Sequence, residues 1–430
     1  MVLKNLLDFI ENSPCSYFTA ANIKKMLIEN GFNELSEGEK WNIKENRKYF
    51  VTRNNSSIIA FKIPTLNFKG FQIIAGHGDS PCFKIKENPE IKSSCVILNT
   101  EGYGGMILNS WLDRPLSIAG RIIVRLGNSI KSKLVNIDRD LVLIPNLAVH
   151  FNSKINDGYV YKPNIDMKPI FSENSKRSLK SLLAEKAEVS EKDIYAYDMF
   201  LYNREKGRIW GYDNEYISAP RLDDLQCVFS CFDGFLKGEK SENISVFSVF
   251  DNEEVGSVTK QGAASSFLKD VLIRINEAAN GDDSDFINRL SGSFMISADN
   301  AHAVHPNFPN ISDFTNRPLL NKGVVIKYSA NQKYTTDAVS DGIMRVILDN
   351  ASVPYQTYST RSDINGGSTL GNISSQRVSI NCVDIGLAQL AMHSAYETAG
   401  AFDSQYLMNT AKQFYDSTIL FVKDGDYKIY

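Results

Sequence analysis

SVFSVFDNEEVGS, residues 245–257, is a run of apolar and β-branched residues, with only small serines between them, that stops at an acidic turn. Ser245 to Phe250 has no charged face, so it reads as a strand buried on both sides, the kind found in a sheet covered by helices. Comparable runs stand at Ser293 to Ala298, Val324 to Tyr328 and Val378 to Val383, and helix-length amphipathic segments separate them. That alternation predicts an α/β domain, a mixed sheet with helices on both faces. Further upstream, Ser57 to Ile63 and Phe71 to Ala75 read as hairpin strands, the second leading into Gly76, His77, Gly78, Asp79, Ser80 and Pro81. From residue 88 to residue 212 the runs are short and β-type, such as Arg121 to Arg125 and Leu134 to Ile137 on either side of a turn at Gly127 and Asn128. This stretch is expected to be an inserted, mostly β module that divides the α/β domain into residues 1–87 and 213–430.

The start of the chain, MVLKNLLDFIENSP, carries apolar residues at helical spacing broken by Asp8 and Glu11, which predicts an amphipathic helix rather than a signal peptide. A second helix is expected from a cap at Thr19 through Ile23, Met26, Leu27 and Ile28 to a stop at Gly31. Composition is that of an ordinary globular protein, 43% hydrophobic and 23% charged. The 47 basic and 50 acidic residues are spread along the chain, with no run of either sign to track phosphates or anionic lipid. Nucleic acid and membrane are therefore not expected partners. Six cysteines without a C-x-x-C pair predict reduced thiols in a cytoplasmic protein, with Cys227 and Cys231 on one helical face.

The chain has only five histidines, His77, His150, His302, His305 and His393, and each sits in a segment dense with glycine, carboxylates or both. Three adjoin apolar runs that end where acidic residues begin, and Asp223, Glu253, Glu254 and Asp299 supply carboxylates elsewhere. Such an inventory suits a pair of zinc-like cations at strand ends. His77 and Asp79 form H-x-D, a spacing that lets the carboxylate hold one ring nitrogen while the other binds metal. Glu253 and Glu254 would repel unless a cation or a shared proton offset them, so one can bind metal while its neighbour takes a proton from water; a solvated acidic turn is the competing reading. Asp299 is a plausible ligand at another strand end, with His302 and His305 as supporting or substrate groups. Asp223 could bridge two cations through its two oxygens. Ser394 to Glu397 spells S-x-x-E, a capping box expected to start a helix directly after His393.

The ordered set His77, Asp223, Glu253 with Glu254, Asp299 and His393 resembles the aspartyl aminopeptidase family of dizinc metallopeptidases. The resemblance rests on AGHGDSP, SAPRLDDL, DNEEVGS, SADNAHAVHPN, ANQKYTT, NGGSTLG and DIGLAQLAMHS, which run in the family's order from residue 75 to residue 394. It extends to Trp111, Leu112, Asp113 and Arg114, and to Ile144 through His150, both inside the inserted module.

The resemblance implies that His77, Asp223 and Asp299 hold one Zn2+ and Asp223, Glu254 and His393 the other, with manganese or cobalt as chemically acceptable substitutes. Glu253 would be the general base and Asp79 would orient His77. Lys327 would face the side chain of the substrate's first residue, giving a preference for Asp or Glu at the N-terminus of peptide substrates. The inserted module would be a dimerisation domain, dimers would assemble into a homo-oligomeric dodecamer, and His150 would reach the neighbouring subunit's site. Asp224 departs from the asparagine expected beside the bridging aspartate, Asn316 stands in place of a histidine, and the segment after Asp363 lacks a cysteine. Two other classes compete: a dizinc amidohydrolase acting on N-acyl amino acids, and a non-catalytic assembly protein with a relic site, against which the intact ligand set and Glu253 argue.

Overall fold

A computed structural model describes residues 2–173 and 178–430. The chain opens with α1 (Val2–Glu11), which buries Leu6, Phe9 and Ile10, and α2 (Ser16–Glu29); Met1 of the expected helix lies outside the described residues. Thr19 does not cap α2. The N-cap is Cys15, and Thr19 sits inside the first turn, where its hydroxyl donates to the carbonyls of Cys15 at 3.3 Å and Gly78 at 3.1 Å. A hydroxyl that looks like a helix start thus serves a distant loop. The helix ends where Gly31 adopts a φ of 79°.

Next come β1 (Asn33–Leu35), β2 (Arg47–Arg53), β3 (Ser57–Ile63), β4 (Phe71–His77), β5 (Cys82–Lys92), β6 (Val96–Tyr103), β7 (Leu116–Leu126) and β8 (Ser129–Asn136). They are followed by α3 (Pro163–Asp166), β9 (Ile170–Ser172), α4 (Leu179–Ala187), β10 (Ile194–Asn203), β11 (Arg208–Trp210), β12 (Tyr216–Ala219), α5 (Leu222–Lys237) and β13 (Ile244–Phe250). The remainder holds α6 (Phe267–Ala278), α7 (Asp283–Ser291), β14 (Phe294–Ala298), β15 (Ala301–His302), β16 (Val324–Tyr328), α8 (Ala338–Asn350) and β17 (Tyr355–Ser359). It closes with α9 (Leu370–Ser375), β18 (Asn381–Gly386), β19 (Ala388–Leu390), β20 (Glu397–Gly400), α10 (Asp403–Asp416) and a terminal hairpin, β21 (Ile419–Lys423) with β22 (Asp426–Ile429).

Among the described residues the main sheet has nine strands in the order β1-β2-β3-β13-β4-β14-β18-β16-β17. Strands β3, β4, β13 and β14 are buried along their whole length because helices cover both faces. One face packs Phe9, Ile23, Phe235, Met344 and Phe414 from α1, α2, α5, α8 and α10. The other packs Phe267, Leu272 and Leu370 from α6 and α9. The predicted hairpin between β3 and β4 does not form. β13 lies between them, antiparallel to β3 and parallel to β4, and the hairpin partner of β3 is β2. The run expected at 378–383 becomes a strand only from Asn381, because the N–H groups of Arg377 and Val378 return to the Ser374 carbonyl as α9 ends.

β13, β4, β14 and β18 are mutually parallel. Their carboxyl ends therefore open on one side, where such sheets bind ligands. A second, six-stranded sheet, β8-β7-β10-β5-β6-β9, has its own core around Phe83, Trp111, Ile118, Leu183 and Leu201. Its strands lie between Cys82 and Asn203, and β11 pairs with β12 of a separate five-stranded sheet, β11-β12-β20-β19-β15.

Candidate metal centre

Three sheet strands and one helix deliver the polar cluster. β4 ends at His77, the turn after β13 carries Glu253 and Glu254, β14 is followed by Asp299, and the first turn of α5, just after Leu222, carries Asp223 and Asp224 in non-helical conformations joined by a cis peptide bond. Gly76 is required because a Cβ there would meet the Asp224 carboxylate at 2.8 Å and Val228 at 3.0 Å. His393 arrives from the loop between β19 and β20 with a φ of 67°. Asp223 turns its two oxygens to different histidines: Oδ1 is 3.6 Å from His77 Nε2 and Oδ2 is 3.5 Å from His393 Nε2. Glu254 Oε2 lies 3.4 Å from the same His393 nitrogen. Two groups that could each hold a metal ion share Asp223: His77, Asp223 and Asp299, and Asp223, Glu254 and His393. A third grouping joins His77 with Glu253 and Glu254.

The orientation of these groups comes largely from backbone contacts. His77 Nδ1 is 3.1 Å from the main-chain oxygen of Asp79, closer than the 3.5 Å to its carboxylate. That carboxylate is committed elsewhere. Oδ1 accepts the Glu253 N–H and Oδ2 the Glu254 N–H, both at 3.1 Å, and Oδ2 also accepts the Tyr103 hydroxyl at 2.8 Å. Tyr103 in turn accepts from the Asn252 side chain at 2.8 Å. H-x-D thus acts here mainly on the glutamate turn and only secondarily on the imidazole.

His393 Nδ1 is 2.6 Å from the carbonyl oxygen of Gly105, which follows β6 of the six-stranded sheet, so Nε2 is left facing the carboxylates. No helix follows His393. Residues 394–396 bend into β20, and Glu397 Oε1 accepts the His393 N–H at 2.7 Å while Oε2 accepts the Asp223 N–H at 3.1 Å. The S-x-x-E string is a capping box only when a helix follows; in this protein the glutamate binds two loops instead. Neither Glu397 nor the Gly105 carbonyl is among the site groups expected from the sequence; a glutamate four positions after His393 is the one signal that could have pointed to Glu397.

Electrostatics set the demand for cations. Burial alone would raise the Asp223 carboxyl, yet the facing His393 and His77 hold it well below the usual range. Burial and the Asp223 charge push Glu254 well up, and burial with neighbouring carboxylates takes Glu253 to about 7 despite His77. Asp299 rises to about 6 through burial, against the opposing charge of Lys327. Buried carboxylates cannot all ionise at such distances unless positive charge is added.

The wall of this ≈ 170 Å³ cavity includes His302, Lys327, Tyr334 and Met392. Lys327 is buried, donates to the Asn300 carbonyl at 2.7 Å and stands 3.7 Å from Asp299 Oδ2. His302 and Met392 also face a neighbouring ≈ 310 Å³ cavity that includes His305, Asn316 and Arg361. His305 belongs to that second cavity only, its Nδ1 accepting the Asn307 N–H at 3.2 Å. His150 is exposed on the six-stranded sheet's loop and does not line either cavity.

A family model described as "Aminopeptidase I zinc metalloprotease (M18)" matches residues 9–415. This chain belongs to the M18 aminopeptidase family. A relative from Clostridium novyi (strain NT), named "Probable M18 family aminopeptidase 2", is 47% identical across 96% of this chain and 98% of its own length. A chain in the cryo-EM structure of the Ape4 and Nbr1 complex shares 34% identity and a TM-score of 0.92, covering 96% of this chain and 85% of that one. The Saccharomyces cerevisiae mApe1 dodecamer has a chain 25% identical with a TM-score of 0.85, covering 96% of each. The M18 aminopeptidase described here is thus a zinc metalloprotease. Its residues fit that metal: Asp223 Oδ1 and Glu254 Oε1 are buried without a hydrogen-bond partner, and imidazole with carboxylate oxygen is a zinc donor set.

Proposed function

We propose that this M18 aminopeptidase releases N-terminal residues, preferably Asp or Glu, from peptides by dizinc hydrolysis. The observation that carries the reading is the Asp223 carboxylate, divided between His77 Nε2 and His393 Nε2 at 3.6 and 3.5 Å. His77, Asp223 and Asp299 would hold one zinc, and Asp223, Glu254 and His393 the other. Zinc bound there supplies Lewis acidity, making water more acidic and the scissile carbonyl more electrophilic.

The remaining work belongs to the chain. Glu253, raised to about 7 by burial and neighbouring carboxylates, takes a proton at its free carboxylate from the attacking water and returns it to the departing amine. Asp79 fixes that carboxylate's backbone through the Glu253 and Glu254 N–H groups. Lys327, one of the cavity's lining residues, favours an acidic first side chain, and His302 lines the same wall. The six-stranded sheet is the dimerisation domain of a homo-oligomer, a dodecamer built from dimers. Support comes from the surroundings of His150, where Leu147, Val149, Phe151 and Val160 are all more than half exposed, as a surface awaiting a partner would be. His150 would then complete the neighbour's site. A cytoplasmic location is part of the same reading, supported by six cysteines without a disulfide among the described residues.

Metal analysis of the purified protein, run beside hydrolysis of aspartyl, glutamyl, leucyl and lysyl amides, tests the reading. Two zinc ions per chain and faster cleavage of the acidic amides are expected. One ion per chain, or leucyl amides cleaved as fast as aspartyl ones, overturns it.

A further inference from the structure

We infer that Glu397 is the positioning residue for the second zinc, the one assigned above to Asp223, Glu254 and His393. The inference rests on the two-cation reading. Glu397 is buried at the start of β20, opposite Ala219 at the end of β12. Those two strands are antiparallel neighbours, so the chain leaving β12 carries Asp223 to a point four residues beyond Ala219, and the chain entering β20 brings His393 from four residues before Glu397. Both loops therefore converge on one carboxylate. Its Oε1 accepts the His393 N–H at 2.7 Å and its Oε2 the Asp223 N–H at 3.1 Å.

A carboxylate that offers one oxygen to each of two backbone donors fixes the spacing of those backbones, and with it the 3.5 Å approach of His393 Nε2 to Asp223 Oδ2. No donor can replace either oxygen without facing an N–H head on. The same device recurs across the centre, where Asp79 grips the N–H groups of Glu253 and Glu254. Glu397 acts on the His393 group more than on the His77 group for a structural reason. His77 is the last residue of a central strand, paired with Phe250 of β13, and its N–H donates to Asp224 at 3.2 Å rather than to Glu397, whereas His393 stands on a left-handed loop residue held by Glu397, by Gly105 at its ring and by the Ile107 N–H at its carbonyl.

Glu397→Gln tests this, because the amide keeps one acceptor and turns an NH2 toward the other backbone N–H. The purified full chain, wild type and variant, is stripped by a chelator and titrated with Zn2+ alone in a calorimeter. Wild type is expected to show two binding steps; the variant should keep one at wild-type affinity and weaken the other about 10–100-fold, the usual cost of losing a group that holds a metal ligand. Turnover should recover toward wild type as free zinc is raised. Two unchanged steps, or two steps weakened equally, overturn the inference. A wild type with a single step overturns the two-cation reading itself, which keeps the failures apart. Circular dichroism of the metal-free proteins checks folding. If Glu397→Gln does not fold, Glu397→Asp, one methylene shorter with both acceptors kept, carries the same test: weakening confined to one step supports the role, and equal or absent weakening ends it.

Discussion

Asp79 holds Glu253 by its backbone, not by its side chain: the aspartate Oδ1 accepts the glutamate N–H at 3.1 Å, leaving the Glu253 carboxylate free. Because Oδ2 takes the Glu254 N–H in the same way, the charge of Asp79 matters less than its two acceptor atoms. Asp79→Asn, which turns one acceptor into a donor, should lower kcat by about 10–100-fold while zinc content stays at the wild-type value. Steady-state kinetics beside metal analysis checks this; loss of zinc in parallel with activity would mean that Asp79 serves the His77 imidazole instead.

Glu253 and Glu254 are expected to separate by variant. Glu253→Gln keeps both zinc ions and loses about 10²–10⁴-fold in turnover, the scale of a missing general base. Glu254→Gln, whose native carboxylate stands 3.4 Å from His393 Nε2, loses zinc at one position. Equal metal content in the two variants would reject this division of roles.

Lys327→Leu should reduce cleavage of aspartyl and glutamyl amides about 30-fold or more, in line with the ~2–5 kcal/mol lost when one member of a buried charge pair is removed. Leucyl amides should change far less, since their side chain carries no charge. Loss of both activities by the same factor would assign Lys327 to supporting Asp299, 3.7 Å away.

Zinc affinity should fall as pH falls. In the metal-free protein burial disfavours the His393 imidazolium, yet Asp223 and Glu254 raise it to about 10, and His77 is likewise raised well above its ordinary value. At neutral pH both rings therefore hold a proton that an incoming cation must displace, so binding releases protons and added acid opposes it. Each proton released at neutral pH makes affinity about tenfold weaker per unit of pH lost. Calorimetry in buffers of different ionisation enthalpy counts those protons, and zero release would contradict the assigned histidine ligands.

His150→Ala should retain zinc and the oligomer yet lose most activity. Co-expression with Glu253→Gln subunits is expected to restore part of it, because a two-fold interface can set an intact Glu253 against an intact His150 in one of its sites. Mixed dimers verified by mass that stay as inactive as the parents would place any role of His150 within its own subunit.

Much of the fold can be read from local sequence because strands buried on both faces carry no charged face, as in Ile244 to Phe250, where only the small Ser245 and Ser248 interrupt the apolar residues. The cluster is equally legible where a polar residue ends such a strand, as His77 does, or directly follows one, as Asp299 does. Long-range order is different. Nothing near residue 60 or residue 75 announces that a strand from residues 244–250 will part β3 from β4. Contacts made through the backbone also leave no residue signature: the Gly105 carbonyl that orients His393 is 288 positions away, and any residue type supplies a carbonyl. Ser394 to Glu397 misleads for a related reason, since a glutamate that can accept one helix N–H can accept two loop N–H groups as well.

The place of β13 between β3 and β4 has a consequence for how the protein is made on the ribosome. When β4 leaves the exit tunnel, the neighbour on each of its sides, β13 and β14, is still untranslated. The six-stranded sheet, by contrast, takes all its strands from the contiguous stretch 82–203 and can close first. The nascent chain thus carries an unsatisfied apolar strand through most of its synthesis, and the finished sheet appears only after residue 386, when β18 joins β14.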